Sequence, residues 1–481
     1  MQETNKLPSA EELARATLLG SNRRRMLAQL RGDAQAHLGE RAITLCLERF
    51  VIDRQSGATV PYQGERGMER VLEALGAYYP EGRVVEEGRL VGLRGSVDSS
   101  GVRVGVELGL GPAAQLVVSL GPIARVSRLK GALQAVDRQF HLASRGMGAD
   151  YELLAQGVNP RPRSAAEVPL VPLTRHGVMG AHLGTSGRTG RDLMRLTAAT
   201  AIRLSQAGET AAAEAFRLAS ALSPVISFLT DDALGLRGGN PHEAGRMIRT
   251  RLWREADPER SGTIPGCLAA DFGFAAYGEW LESVQAVLVT NDSGETTSCD
   301  KRLVEDVMSD HELDRSEVAS LLAAAHPLVR WDGQLEVRSA DALPPRLACA
   351  YAALMRSVFC DEKASELAGI LCAEANEEGV ADLEQDLRER GWDARVYGRS
   401  LPNFVEQLVD VARGGLEDAA DRAVLDELTQ LWEIRTVPRD LLVDTWDKAH
   451  VTGGKAGAAE AGFGIAGSGA TGTAVDAADA Q

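Results

Sequence analysis

Residues 41–53 read RAITLCLERFVID, with Leu45 and Leu47 alternating with Thr44, Cys46 and Glu48. Successive strand side chains point to opposite faces, so this spacing predicts a strand with one apolar and one polar face. The same period of two recurs at 200–205, where Ala201, Arg203 and Ser205 share a face. It recurs again at 328–338, placing Gln334, Glu336 and Arg338 together. Residues 101–122, GVRVGVELGLGPAAQLVVSLGP, predict a hairpin of two extended segments, 102–108 and 115–120, broken by a Gly-Pro turn. Leu116, Val118 and Leu120 would face the core, and Gly111, Ala113, Gln115, Val117 and Ser119 the other side. Shorter strands are expected at 84–93 and 285–290.

Helical spacing dominates elsewhere. It predicts helices at 8–38 (Ser9 as N-cap before Glu11 and Glu12), 67–79, 124–145, 192–196, 209–230, 241–253, 272–284 and 316–325. From 344 to 449 the pattern is almost all helix, broken near Gly391 and Gly414. The chain thus divides into an N-terminal helical segment (1–40), a main domain (41–450) and a tail (451–481). The tail is mostly Gly, Ala, Ser and Thr, which cannot bury enough apolar surface to offset ordering, so disorder is expected there.

Composition narrows the function classes. The net charge of −16 argues against a nucleic-acid partner, which would need a basic face for the phosphates. The run Arg23-Arg24-Arg25 reads as a solvated helix face. The six cysteines, at 46, 267, 299, 349, 360 and 372, form no C-x-x-C pair and no metal spacing. They read as buried thiols in a reducing compartment. With no signal peptide and no apolar run of membrane-spanning length discerned, a soluble cytoplasmic protein without a membrane partner is expected.

Generic motifs are weak. GLGPAA at 109–114 fits a loose G-x-G-x-x-A but precedes a strand, whereas a dinucleotide fingerprint must open a helix. There is no G-x-x-x-x-G-K-[ST]. The segment GTSGRTGR at 184–191 leads into a helix and suits either an anion cradle or a tight connection. His176 and His182 flank a loop, have no ligand spacing and are read as structural. No serine sits in G-x-S-x-G.

Several ordered segments carry a more specific signal. LGPAAQLVVS at 110–119 lies against a family signature Leu-Glu-Pro-Gly-Gly-Gln-Phe-Glu-Leu-Ser, matching at Leu110, Pro112, Gln115 and Ser119. CLERF at 46–50 matches Glu-His-Glu-Lys-Phe at Glu48, with Cys46 at the first glutamate. VPLTRHG keeps Arg175, with Leu173 where a lysine stands in the segment Pro-Lys-Gly-Arg-Tyr. Ala201, Arg203 and Ser205 occupy the positions of Gln-x-Asn-x-Asp. RTRLWREADPERSG retains Arg249 and Trp253, and LEVRSAD retains Glu336, Arg338 and Asp341.

Together these segments resemble the plant-type glutamate–cysteine ligases over about residues 41 to 375. The resemblance implies an α+β fold of the glutamine synthetase/glutamate–cysteine ligase kind. Such a fold has a curved, mostly antiparallel sheet whose concave face holds the site, helices behind it, and a helical C-terminal part. It implies a reaction in which ATP phosphorylates the glutamate side chain and cysteine attacks the acyl phosphate, with ATP and Mg²⁺ as cofactors. Mg²⁺ wants hard oxygen ligands. At the positions that supply them, Cys46 offers a soft sulfur and Gly111 and Val117 offer nothing. Glu107 faces the same way as Gly111 but lies four residues off, roughly 13 Å along a strand. Glu48 and Glu336 remain as metal candidates, opposed by Arg203 and Arg338. Arg175, Arg249, Arg338, Gln115 and Ser119 are the candidates for substrate or anion binding, and no catalytic residue is assigned. The expected function is therefore a ligase-fold protein with most of its metal site lost, catalytically impaired, and able to bind a small anion such as an amino acid or nucleotide. The alternative is an active, diverged glutamate–cysteine ligase or related ATP-dependent carboxylate–amine ligase, with ATP and Mg²⁺ bound.

Overall fold

The computed structural model describes residues 9–36, 41–80, 82–185 and 189–451. The expected tail lies outside them but for residue 451, as does the middle of the 184–191 segment.

An open antiparallel sheet of nine strands organises the described residues. In chain order its first seven are β1 (Ile43–Asp53), β2 (Arg83–Glu86), β3 (Arg89–Ser99), β4 (Val102–Leu110), β5 (Leu116–Ile123), β6 (Tyr151–Leu154) and β7 (Ala199–Leu204). A separate hairpin follows, β8 (Leu288–Thr290) and β9 (Thr296–Ser298). The last two sheet strands are β10 (Val329–Asp332) and β11 (Gln334–Asp341). The lateral order is β10-β11-β7-β1-β5-β4-β3-β2, and β6 pairs with the far end of β1. Bulges interrupt the β1–β5, β2–β3 and β7–β11 pairings, which bends and re-aims those strands.

The alternation read from the sequence decides which face is core. Leu45, Leu47, Leu116, Val118, Leu120, Ile202, Leu204 and Val337 are buried in one continuous apolar cluster. Helices Leu129–Gly146, Pro345–Cys360 and Glu209–Leu229 back the sheet. Helix Glu209–Leu229 corrects one expectation: with a mean hydropathy of 1.3 it is long and apolar enough to cross a membrane. It is a core helix, however, with 89% of that window buried inside the protein.

Chain reversals account for the other differences. The single strand expected at 84–93 is the β2–β3 hairpin, turned by Glu87 and Gly88 at φ 47° and 74°. The one expected at 328–338 is β10 and β11, turned at Gly333 (φ 72°). The helix expected at 241–253 divides into Pro241–Ala244 and Ile248–Ala256, because Gly245 and Met247 both take positive φ. The Gly-Pro break expected between the hairpin arms is a closed turn over 111–115, with the Gly111 N–H donating to the Gln115 carbonyl and Ala114 at φ 61°, so the face assigned to Gly111 and Ala113 by alternation does not apply. Strict alternation therefore begins only at Leu116. The short β6 was not anticipated.

Candidate binding cavity on the polar face of the sheet

The polar face is ordered by register. Cys46 lies opposite Ser119 on β5 and Ala201 on β7, and Glu48 lies opposite Val117. Arg203 is flanked by Thr44 and Glu336. A cavity of about 260 Å³ opens beside these strands, roofed by helices Thr174–Leu183, Gly190–Leu196 and Ile248–Ala256. Glu48, Gly111, Gln115, Arg175, Arg249 and Arg338 all line it. Cys46, Val117, Ser119 and Glu336 are not part of the lining.

Each of these side chains has a defined setting. Glu48 Oε2 accepts the Ala199 N–H at 2.9 Å. Burial pushes its carboxyl up, against the opposing pull of Arg338, the Ala199 N–H and Arg249. Gln115 is buried and committed: its Oε1 accepts the Ala113 N–H at 2.8 Å, and its Nε2 donates to the Met194 carbonyl at 3.1 Å. A Cβ on Gly111 would stand 2.6 Å from that Oε1, so Gln115 occupies the space a side chain at 111 would need. Arg175 sits half-exposed and pairs with Glu86 at 3.0 Å.

Arg249 is almost entirely consumed by the fold. Its Nε donates to Asp341 Oδ1 at 2.8 Å, and its Nη2 reaches the carbonyls of Arg338, Ser339 and Ala340 at 2.9, 2.9 and 3.0 Å. Those carbonyls belong to the β11 bulge, so Arg249 fixes the backbone from which Arg338 projects. The Arg338 guanidinium has no hydrogen-bond partner among the described residues. Its nearest carboxylate oxygen is Glu336 Oε2 at 3.9 Å, and it lies 5.9 Å from the Trp253 ring centre.

Glu336 is surrounded by cations. Arg330 Nε donates to one oxygen at 2.6 Å and Arg203 Nε to the other at 3.4 Å. Burial would raise its pKa, but Arg330, Arg338 and Arg203 outweigh burial and hold it down to about 2. Cys46 is a buried thiol that accepts the Ser119 hydroxyl at 3.3 Å. Burial pushes it up, against the pull of Arg203 and Ser119. Glu107 pairs with Arg94 at 2.8 Å.

Two histidines complete the cavity wall. His176, read as structural from sequence, holds the Val171 carbonyl through Nδ1 at 3.1 Å, which fixes the tautomer and leaves Nε2 as the acceptor. Burial, then the neighbouring Arg175, pushes it down to about 4. His326 packs against Trp253, and burial followed by Arg260 and Arg338 drives it well below its ordinary value. Both rings are neutral at pH 7. His182, also read as structural, lies at 3.5 Å from Asp257, away from this lining.

The donor set does not fit Mg²⁺. An octahedral magnesium site needs hard oxygens with free lone pairs. Glu336 has given both oxygens to arginines, Glu48 has given one to a backbone N–H, and positions 46, 111 and 117 supply none. Among the described residues no group of three His, Cys, Asp or Glu side chains is placed to hold a metal.

The sheet order, the cavity and the arginine positions can now be set beside known proteins. The family model described as Glutamate-cysteine ligase family 2 (GCS2) matches residues 46–401. The chain belongs to this family. Among curated proteins it is similar to Glutamate--cysteine ligase B, chloroplastic, of Oryza sativa subsp. japonica, at 21% identity over 78% of this chain and 75% of the rice protein. It is also similar to Glutamate--cysteine ligase, chloroplastic, of Medicago truncatula, at 22% identity over 75% of this chain and 70% of the relative. The expectation of a cytoplasmic protein is overturned here, since these relatives of this glutamate–cysteine ligase family member are named as chloroplastic.

Proposed function

We propose that this family member has kept the ligase scaffold and its cavity but no longer drives the family's ATP-dependent ligation, and acts instead by binding a small ligand without Mg²⁺. The observation that carries this reading is the arginine cage around Glu336, which removes the one retained carboxylate that could have partnered Glu48 at a metal. Phosphoryl transfer relies on metal ions to bridge and neutralise phosphate oxygens, and the residues facing the cavity supply no such cage. What they supply is cationic: Arg338 is aimed into the cavity from a braced bulge, where a guanidinium suits an oxyanion. Family membership supports the second reading, an active diverged ligase that recruits ATP and Mg²⁺ through Glu48.

Calorimetric titration of ATP into the full chain, with and without Mg²⁺, separates the two. The first reading predicts that Mg²⁺ changes ATP affinity by less than about threefold. Tightening of tenfold or more by Mg²⁺, about 1.4 kcal/mol, would overturn it.

A further inference from the structure

We propose that the cavity binds the zwitterion of an α-amino acid with an apolar side chain, its carboxylate on Arg338 and its ammonium on Glu48. The proposal rests on the reading of a metal-free site and specifies what that site takes. Arg338 and Glu48 are the two charged groups of the lining that the fold leaves with spare bonding capacity. The Arg338 guanidinium has no hydrogen-bond partner among the described residues, and Glu48 commits only Oε2, leaving Oε1 without one. They project from strands that flank β7 on either side. With two strand spacings of about 4.8 Å between β1 and β11, their backbones stand at least roughly 10 Å apart, and both side chains line the one cavity. An amino acid lying between them would meet one opposite charge at each end.

The rest of the wall decides the side chain. Met179, Leu183, Leu193, Met194, Leu288 and Trp253 make it mostly apolar, beside the committed Gln115, Thr197 and the two neutral histidines. A second carboxylate, as in glutamate, would find no spare cation there. Arg249 is spent on Asp341 and three carbonyls, Arg175 is held by Glu86 at the rim, and His176 is neutral. An unpaired carboxylate buried against Leu and Met is strongly disfavoured. A cavity of about 260 Å³ is ample for one amino acid. Charge also balances: each end of the zwitterion meets one opposite charge, and neither protein group is left desolvated and unpaired.

The test is calorimetry on the full-length protein in chelator, with L-leucine, L-methionine, L-glutamate, N-acetyl-L-leucine and isoamylamine as probes. Leucine and methionine are expected to bind one per chain. Glutamate, the acetylated compound (no ammonium) and the amine (no carboxylate) should each be weaker by tenfold or more. Arg338→Gln and Glu48→Gln should each abolish leucine binding, and near-ultraviolet circular dichroism confirms that they fold. The ligand series on the unaltered protein carries the test even if a variant does not. Glutamate binding as tightly as leucine, equal affinity for leucine and its acetyl derivative, or no heat with any amino acid at millimolar concentration would each overturn the proposal. If amino acids fail while ATP stays indifferent to Mg²⁺, this inference alone falls. If ATP tightens with Mg²⁺, the underlying reading falls instead.

Discussion

Replacing Arg249 with methionine is expected to lower the unfolding free energy by about 3–5 kcal/mol, read from equilibrium urea unfolding, even though methionine fills much of the same space. Arg249 is 3% exposed, and its guanidinium serves Asp341 and three carbonyls of the β11 bulge at once. Removing it leaves the buried Asp341 carboxylate with the Asp232 N–H alone and takes a donor from three carbonyls, of which Ser339 keeps the Ser227 hydroxyl, and each buried group left unsatisfied costs about 1–3 kcal/mol. Lysine should recover little, because one ammonium cannot reproduce the planar fork. The deficit should also depend on pH. Burial already pushes Asp341 up, and Arg249 is the strongest opposing influence. In the variant, Asp341 rises further, so between its unfolded and folded values the variant's folded state binds more protons than its unfolded state. Its stability then falls as pH rises, and the deficit should be larger at pH 8 than at pH 5. A loss under about 1 kcal/mol would show that the bulge does not depend on this arginine.

The second large effect is expected from Glu336→Gln. Three arginines converge on Glu336 and hold its carboxyl down to about 2. Relative to an ordinary glutamate near 4.5, that depression is worth about 3 kcal/mol. A folded pKa below the unfolded value stabilises fully above the unfolded value, and the contribution is lost as pH falls through the folded one. The gap between wild type and variant should therefore be constant from pH 8 to about 5 and narrow below about 4.5. Urea midpoints across that range measure it. A gap that widened on acidification would contradict the assignment of Glu336 as an arginine-bound anion.

How far the sequence foretold this arrangement differs from element to element. β1, β7 and the second half of the central hairpin were legible because a strand with one wet face forces a period of two. That period brought Glu336 and Arg203 onto one polar face before any register was known. The two-strand nature of 328–338 was hidden, because Val329, Trp331, Leu335 and Val337 keep alternating across the turn, with only Asp332-Gly333 marking the reversal. The Gly-Pro break between the hairpin arms was legible, but the alternation carried back over Gly111 and Ala113 does not hold, because Ala114 takes φ 61° with no sign of it in the sequence.

The site was legible in part. Of the binding candidates read from the sequence, Arg249, Arg338, Arg175 and Gln115 line one cavity, while Ser119 is outside its lining. What the sequence could not show is which charges are already spent. Arg249 and Arg338 look equivalent as letters, yet one is a brace and the other faces the cavity with no hydrogen-bond partner among the described residues. Arg330, which decides the fate of Glu336, sits across a hairpin that was not foreseen. His176 and His326 reach the same wall from positions far apart in sequence, with no spacing to link them.

We propose a glutamate–cysteine ligase scaffold separated from its Mg-ATP chemistry. The most direct test is to incubate the purified full chain with ATP, Mg²⁺, glutamate and cysteine, following both phosphate release and γ-glutamylcysteine. The arginine-caged Glu336 and the missing oxygens at 46, 111 and 117 predict neither product above a protein-free control. Phosphate and γ-glutamylcysteine formed together, one for one, over many turnovers would contradict that account.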